Sequence, residues 1–217
     1  MTNSKIIIRV MHEAAMRITD IAIEQSCDAR RGHSFAIECS RTRHCFMTMT
    51  MRYVWTCHCC GQEFDELPLS FGAEAPLPWL SVKEAERQAR GYIDSDRCVI
   101  DHQHFFVRGC LEVPIVGGSE PFVWSIWVSL SKQSFALVDE LWEAEQRDHV
   151  DPLFGWSCNS LPGYPDTFAL KTRVHLRNGG MRPFIELEPT DHPLAVEQRE
   201  GITMQRVADI ATTCMRH

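Results

Sequence analysis

Residues 168–188 read "FALKTRVHLRNGGMRPFIELE", and this stretch decides the fold class. Two runs of alternating apolar and polar residues flank the turn sequence Asn178-Gly179-Gly180. Alternation of this kind is typical of β-strands with one buried face. Glycine tolerates the positive φ that a two-residue hairpin loop requires, so Gly179-Gly180 predicts a tight β-hairpin.

The position of that loop also predicts how the two strands pair. Because opposite charges would face each other on the outer face, we expect the basic residues Lys171, Arg173, His175 and Arg177 to form a neutralised, solvated surface. The predicted pairs are Val174 with Ile185 and Thr172 with Leu187 on the core face, and Arg173 with Glu186 and Lys171 with Glu188 on the outer face.

Further strands and helices are predicted on both sides of the hairpin. Residues 105–115 and 122–130 alternate as strands do, with Trp124 on the buried face. Three helices are predicted, with caps at Ser81 (a capping box with Glu84, ending at Gly91), at Ser134 and at Thr203. Proline-rich stretches at 67–79, 161–167 and 186–201 indicate loops or turns. The predicted class is therefore α+β, a mainly antiparallel sheet with helices packed on it.

Charge and pattern divide the chain into two parts. Residues 1–52 hold eight Lys/Arg against five Asp/Glu, and after an amphipathic stretch at 6–23 they are basic and unpatterned. We expect a poorly ordered leader there, or a true start at a later methionine. Residues 53–217 hold 14 Lys/Arg against 24 Asp/Glu and are predicted to form a single α+β domain.

Composition excludes several classes of protein. The chain has 217 residues, 44% hydrophobic and 24% charged, which is ordinary for a globular protein. Its apolar runs are too short to cross a bilayer and its N-terminus does not read as a signal peptide, so we predict a cytoplasmic protein without membrane contact. An acidic domain argues against nucleic acid and suits a basic protein surface.

The stretch Thr56–Gly61, "TCHCCG", predicts a metal site. Cys57 and Cys60 have the Cys-x-x-Cys spacing that turns two sulfurs toward one tetrahedral zinc ion, so we predict a structural, zinc-ribbon-like knuckle at the start of the domain. Reduced structural thiols or a redox pair are the alternatives, although the acidic residues and proline after Gly61 do not favour a reactive thiol. Candidates to complete the site are Cys59, Cys98 and Cys110, with His58, His102 and His104 as further possibilities.

Several polar residues are candidates for a functional surface. His102 and His104 could ligate a metal if their segment is extended, and the alternative is a hydrophilic turn. Asp191 beside His192 could form an acid–base pair, and the alternative there is a structural turn. The candidate set is His102, His104, Tyr164, Asp166, His175, Asp191 and His192.

The chain from about Trp55 onward resembles a bacterial family known only as a domain of unknown function. The resemblance covers about three-quarters of the chain. It implies a compact bacterial domain and carries no established activity, so it transfers no catalytic residue. The motifs that carry it lie at Cys57–Gly61, Leu67–Ala73, Cys98–Pro114, Pro121–Ser131, Leu161–Arg177 and Ile185–Ile202.

Two functions are compatible with these features. The sequence has no glycine-rich phosphate loop, Gly-x-Ser-x-Gly elbow, His-Glu-x-x-His motif or dinucleotide fingerprint, so enzymatic activity is not favoured. We predict a non-catalytic protein-binding module of the immunity or inhibitor type, whose partner is a toxin or an enzyme. The alternative is a metal-dependent hydrolase that uses the cysteine cluster or His102, His104, His175 and His192.

Overall fold

The structure is a computed structural model that describes residues 55–56, 63–64 and 67–214. The predicted leader at 1–52 and the cysteine cluster at 57–61 lie outside these residues. The described part of the chain forms ten strands and five helices. In chain order they are β1 (Trp55–Thr56), β2 (Glu63–Phe64), β3 (Ser70–Gly72), α1 (Leu77–Leu80), α2 (Glu84–Arg90), β4 (Gly91–Ile93), β5 (Arg97–Ile100), β6 (His104–Val113), β7 (Phe122–Leu130), α3 (Lys132–Glu140), β8 (Leu153–Ser157), β9 (Lys171–His175), β10 (Phe184–Leu187), α4 (Pro193–Glu200) and α5 (Met204–Cys214).

Five of the strands close into a barrel. Strands β6, β7, β8, β9 and β10 are antiparallel neighbours in that order, and β10 then pairs in parallel with β6, where Phe184 lies opposite Cys110. Strand β3 adds in parallel to β7, and β5 and β4 extend the sheet from β6. The predicted α+β class with a mainly antiparallel sheet is confirmed, whereas the closure into a barrel was not predicted.

The hairpin has the predicted register. Val174 lies opposite Ile185, Thr172 opposite Leu187 and Arg173 opposite Glu186, and the Lys171 ammonium lies 3.5 Å from the Glu188 carboxylate. Gly179 and Gly180 have φ values of 65° and 66°, the left-handed conformation that a two-residue hairpin turn needs. Strand pairing ends at His175 and Phe184, and the exposed tip of the hairpin is formed by residues 179–181.

Two apolar clusters form the core. The first fills the barrel and includes Val107, Trp124 and Ile185, which are 0–2% exposed. Helices α3, α4 and α5 each contribute buried side chains to it. The second cluster lies on the outer face of β5, β6 and β7 and includes Phe106 and Trp127. Trp127 is buried although it points away from the barrel, because the segment that carries α1 covers it, and its indole N–H donates to the Ala73 carbonyl.

Two of the three predicted helix caps are wrong. Ser81 does not cap α2: its hydroxyl donates to the Leu77 carbonyl and so closes α1. Helix α3 is capped by Ser131, which accepts from the Ser134 N–H, three residues before the predicted position. Both errors arise because several serines near a helix start satisfy the same sequence rule. The Thr203 cap is confirmed, since its hydroxyl accepts from the Arg206 N–H.

Two stretches predicted to be irregular contain regular elements. Residues 67–79 include strand β3 and most of helix α1. Residues 193–200 form helix α4, with Pro193 in its first turn, where proline's missing N–H costs no hydrogen bond.

None of the described helices is both long and apolar enough to cross a membrane.

Candidate functional site

One surface of the described chain is rich in carboxylates: the acidic segment, which we define as residues 139–151. The segment begins at the end of α3 and continues through the loop before β8. Its one Lys/Arg residue, Arg147, is fully buried. Among the described residues, Asp139 pairs with Arg97 and Glu143 interacts electrostatically with Arg147, so the negative charge of the segment is only partly balanced. The exposed acidic residues are Asp139, Glu140, Glu143, Glu145, Asp148 and Asp151.

Arg147 braces this segment against the hairpin. Its Nε donates to the Arg177 carbonyl and its Nη2 to the Met181 carbonyl, both at 2.6 Å. Its Nη1 donates to the carbonyls of Trp142 (3.0 Å) and Leu141 (3.3 Å). The guanidinium thus ties the end of α3 to both sides of the hairpin tip. Desolvation lowers the pKa of Arg147, but an arginine remains charged.

The hairpin tip holds the same segment through its backbone. The Asn178 side-chain oxygen accepts from the N–H groups of Arg147 (2.7 Å) and Asp148 (3.0 Å). The Gly179 N–H donates to the Glu145 carbonyl at 3.1 Å. These contacts fix the backbone that carries the exposed carboxylates, so a partner would find them already ordered and would lose less entropy on binding.

A cavity of about 250 Å³ opens on the outer face of the sheet. Its floor crosses three strands, because Ser129 on β7 lies opposite both Phe106 on β6 and Trp156 on β8. Phe154, at the mouth, is 48% exposed and meets the Trp156 ring edge-on at 5.1 Å. Also lining the cavity are Gln103, His104, Phe105, Leu130, Ser131, Ser134, Ser157, Cys158, Phe168 and Ala169.

The predicted candidates His102 and His104 lie where the chain reverses between β5 and β6, His102 in the tight turn and His104 as the first residue of β6. Asp101 and His102 have φ values of 52° and 51°, which reverses the chain between β5 and β6. The Asp101 carboxylate accepts from the Arg90 guanidinium, and this hydrogen bond lowers the pKa of Asp101. His102 is exposed, whereas His104 lines the cavity.

The histidines farther along the chain have separate structural surroundings. His175 bonds Glu186 across the hairpin at 2.8 Å. His192 caps α4, since its Nδ1 accepts from the Leu194 N–H at 3.2 Å. His104 and His175 do not share a cleft. His175 lies opposite Phe184, and Phe184 lies opposite Cys110 on β6. Cys110 is six residues from His104 along that strand, a distance of roughly 20 Å.

The remaining candidates on the predicted surface also stabilise the scaffold. Tyr164 donates to the Glu197 carboxylate, which in turn accepts from Arg206 at 2.8 Å. Burial raises the pKa of Tyr164, and the bond to Glu197 raises it further. The Asp166 carboxylate accepts from the Phe168 N–H, and Asp191 is exposed beside the start of α4.

The two distant cysteines that could complete a metal site lie apart. Cys98 is opposite Phe106, and Cys110 lies four residues further along that strand, about 13 Å away. At most one of them could join a tetrahedral ion with the knuckle. Burial raises the pKa of the Cys98 thiol to about 12, which disfavours the thiolate. Within the described residues, no group of three His, Cys, Asp or Glu side chains could hold a metal.

The residues that organise this surface were not among the predicted site residues. Arg147 carried a usable signal, since it is the only Lys/Arg in a strongly acidic stretch. Asn178 was read only as a turn residue, although its side chain also binds the acidic segment. The cavity carried no local signal, because its floor comes from three strands that are far apart in the sequence.

These features define the class of the protein: a small α+β barrel with a braced acidic surface and an aromatic cavity outside the barrel. Residues 56–202 match the family model described as an uncharacterized protein conserved in bacteria (DUF2199), and the chain belongs to this family. The resemblance seen in the sequence motifs is thereby confirmed. No curated protein and no solved structure matches the chain.

Proposed function

We propose that the chain is a non-catalytic binding protein of the immunity or inhibitor type, which recognises a basic surface on a toxin or enzyme through the acidic segment. The observation that carries this proposal is the bracing of residues 139–151 by Arg147 and Asn178. These contacts hold the segment in one shape, which suits a surface that a partner recognises.

The charge of the segment determines what it recognises. Unit charges about 4 Å apart attract by about 1 kcal/mol in bulk water and by about 4 kcal/mol at a partly desolvated surface. Several carboxylates acting together therefore favour a partner rich in Lys and Arg, and they also accelerate its association. Such attraction is screened by salt over about 10 Å at 0.1 M ionic strength, so binding weakens as salt is added.

We propose in addition that Cys57 and Cys60 hold a structural zinc ion. Strands β1 and β2 pair antiparallel, with Thr56 opposite Glu63, so the ends of segment 57–62 lie together, as a metal knuckle requires. Zinc analysis tests this idea: we expect one zinc ion per chain, lost in Cys57→Ser and kept in Cys214→Ala. A folded wild-type chain without zinc would contradict it.

The alternative of a metal-dependent hydrolase receives no support from a specific observation. It requires histidines around an open coordination position. In the described residues His104 and His175 are far apart, and His192 uses its Nδ1 as a helix cap.

The experiment for the binding function is a pull-down from a bacterium that carries a member of this family. The wild type is compared with the double variant Asp148→Lys/Asp151→Lys. The control, Glu84→Lys/Glu200→Lys, changes the net charge equally at exposed residues outside the segment. We expect a stoichiometric protein partner with the wild type and the control and its loss with the acidic-segment variant. Recovery of no stoichiometric partner, or equal capture by all three chains, would contradict the proposal.

A further inference from the structure

We propose that the cavity on the outer face of the barrel is a binding site for an uncharged, planar aromatic small molecule of about two fused rings. This site is separate from the acidic segment and does not depend on the proposed function. The inference follows from the size of the cavity, its aromatic walls, the charge of its lining and the backbone of Ala169.

The size of the cavity sets the size of the ligand. Its volume is about 250 Å³. An apolar protein cavity of about 150 Å³ is sufficient for benzene. The space here therefore accepts one ring with a second ring fused to it.

The walls favour a flat ligand that stacks. The accessible ring surface comes from half-buried Trp156 and from Phe154 at the mouth. Phe106 and Phe168, which also line the cavity, are 0% and 6% exposed, so they pack its wall and offer little free ring surface.

The lining indicates an uncharged ligand with a hydrogen-bond acceptor. The described residues that line the cavity include no Asp, Glu, Lys or Arg, so an ion would lose its hydration there without a counter-charge. Ser131 donates its hydroxyl proton to Ser134 at 2.8 Å and accepts from the Ser134 N–H. The Ser134 hydroxyl can then donate onward to a ligand at the rim, near the His104 imidazole.

The backbone of the wall supports a functional role. Ala169 has a φ of 60°, a left-handed conformation that is unfavourable for a residue with a Cβ atom. Its N–H donates to the Ser157 carbonyl at 2.8 Å, and the Ser157 N–H donates to the Leu170 carbonyl at 2.9 Å. These bonds hold Ala169 in its strained conformation at the cavity wall. Strained backbone conformations of this kind are frequent at ligand-binding sites.

The test is a titration of the full chain with quinoline at pH 8, where quinoline is neutral, followed by amide chemical shifts in NMR. We expect saturable shifts at residues that line the cavity, with a dissociation constant of about 1 mM or tighter for a ligand of this size. Naphthalene-2-sulfonate, a charged molecule of similar shape, should bind at least tenfold more weakly. An absence of saturable shifts, shifts that map elsewhere, or equal binding of the sulfonate would overturn the proposal.

Two variants and a control link binding to the cavity. Ser129→Leu fills the floor and should weaken quinoline binding at least tenfold, whereas Ser119→Leu, in the exposed loop after β6, should not change it. Ser134→Ala, at the rim, should weaken binding several-fold while preserving the fold. Unchanged binding in both cavity variants would overturn the site.

Titration with N-acetyl-tryptophanamide, which imitates a tryptophan side chain of a partner protein, distinguishes a free ligand from a partner's side chain. Binding as tight as that of quinoline would assign the cavity to a partner's side chain and overturn the proposal of a free ligand.

Discussion

Replacement of Arg147 by methionine tests the brace that orders the acidic segment. The guanidinium is fully buried and donates to four backbone carbonyls. It also lies 5.2 Å from the centre of the Trp142 ring, whose other cation neighbour is Arg97 at 5.5 Å. Methionine keeps an unbranched apolar stem and removes the guanidinium, with its donors, its charge and its contact with this ring.

The expected loss of stability follows from the hydrogen bonds. Three of the four are 3.0 Å or shorter, namely those to Arg177, Met181 and Trp142. Hydrogen bonds from a charged group contribute about 1.5–3 kcal/mol each, so the three together contribute roughly 5–9 kcal/mol. Burial of the guanidinium costs several kcal/mol, which the variant recovers. We therefore expect Arg147→Met to lower the free energy of unfolding by about 2–4 kcal/mol.

Urea unfolding followed by circular dichroism measures this change. With a slope of about 2 kcal/mol per molar urea, the midpoint should fall by about 1–2 M. Arg147→Lys should lose most of the same stability, because a lysine ammonium is a single point that cannot bond both sides of the hairpin tip. Arg173→Met, at an exposed position on β9, is the matched control and should change stability by less than about 0.5 kcal/mol. Equal midpoints for Arg147→Met and Arg173→Met would refute the reasoning.

Three further changes have defined outcomes. Ala169→Gly should stabilise the chain by about 0.5–1 kcal/mol in the same urea assay, because glycine adopts a positive φ without strain; a loss of stability would show that Ala169 is unstrained. Gly180→Val should destabilise the hairpin by more than about 1 kcal/mol, because a β-branched residue is strained at a φ of 66°; unchanged stability would contradict the turn. Asp101→Asn should flatten the acid limb of the stability profile. The Arg90 hydrogen bond lowers the pKa of Asp101, so its contribution is present above the unfolded pKa of about 4 and lost as pH falls through the folded value. Parallel profiles of the two chains from pH 6 to about pH 2 would refute that assignment.

Local patterns in the sequence were sufficient for the hairpin but not for the barrel. The alternation around Gly179-Gly180 determines which residues oppose each other, and this register is confirmed pair by pair. Closure depends on one parallel contact between Phe184 and Cys110, which are 74 positions apart and carry no pairing signal. The burial of Trp127 was not predictable from local patterns either, because it depends on the distant segment around Ala73.

The candidate site was predictable only in part, for a related reason. An excess of acid in the second part of the chain was visible from composition. The concentration of this charge on one braced segment was not visible, because Arg147 reaches carbonyls 30 and 34 positions away in the sequence. The histidines chosen for their chemistry turned out to cap a helix, to line a cavity or to pair across a hairpin, since a residue type alone does not indicate which neighbours the fold supplies.

The affinity of the captured partner, measured by titration calorimetry at two salt concentrations, tests the role of the acidic segment most directly. We expect the wild-type chain to bind at least tenfold more tightly than Asp148→Lys/Asp151→Lys at about 50 mM salt, a difference of about 1.4 kcal/mol or more. Most of that difference should disappear at about 1 M salt, where screening acts within about 3 Å. Equal affinities of the two chains for the partner at low salt would show that the acidic segment does not form the binding surface.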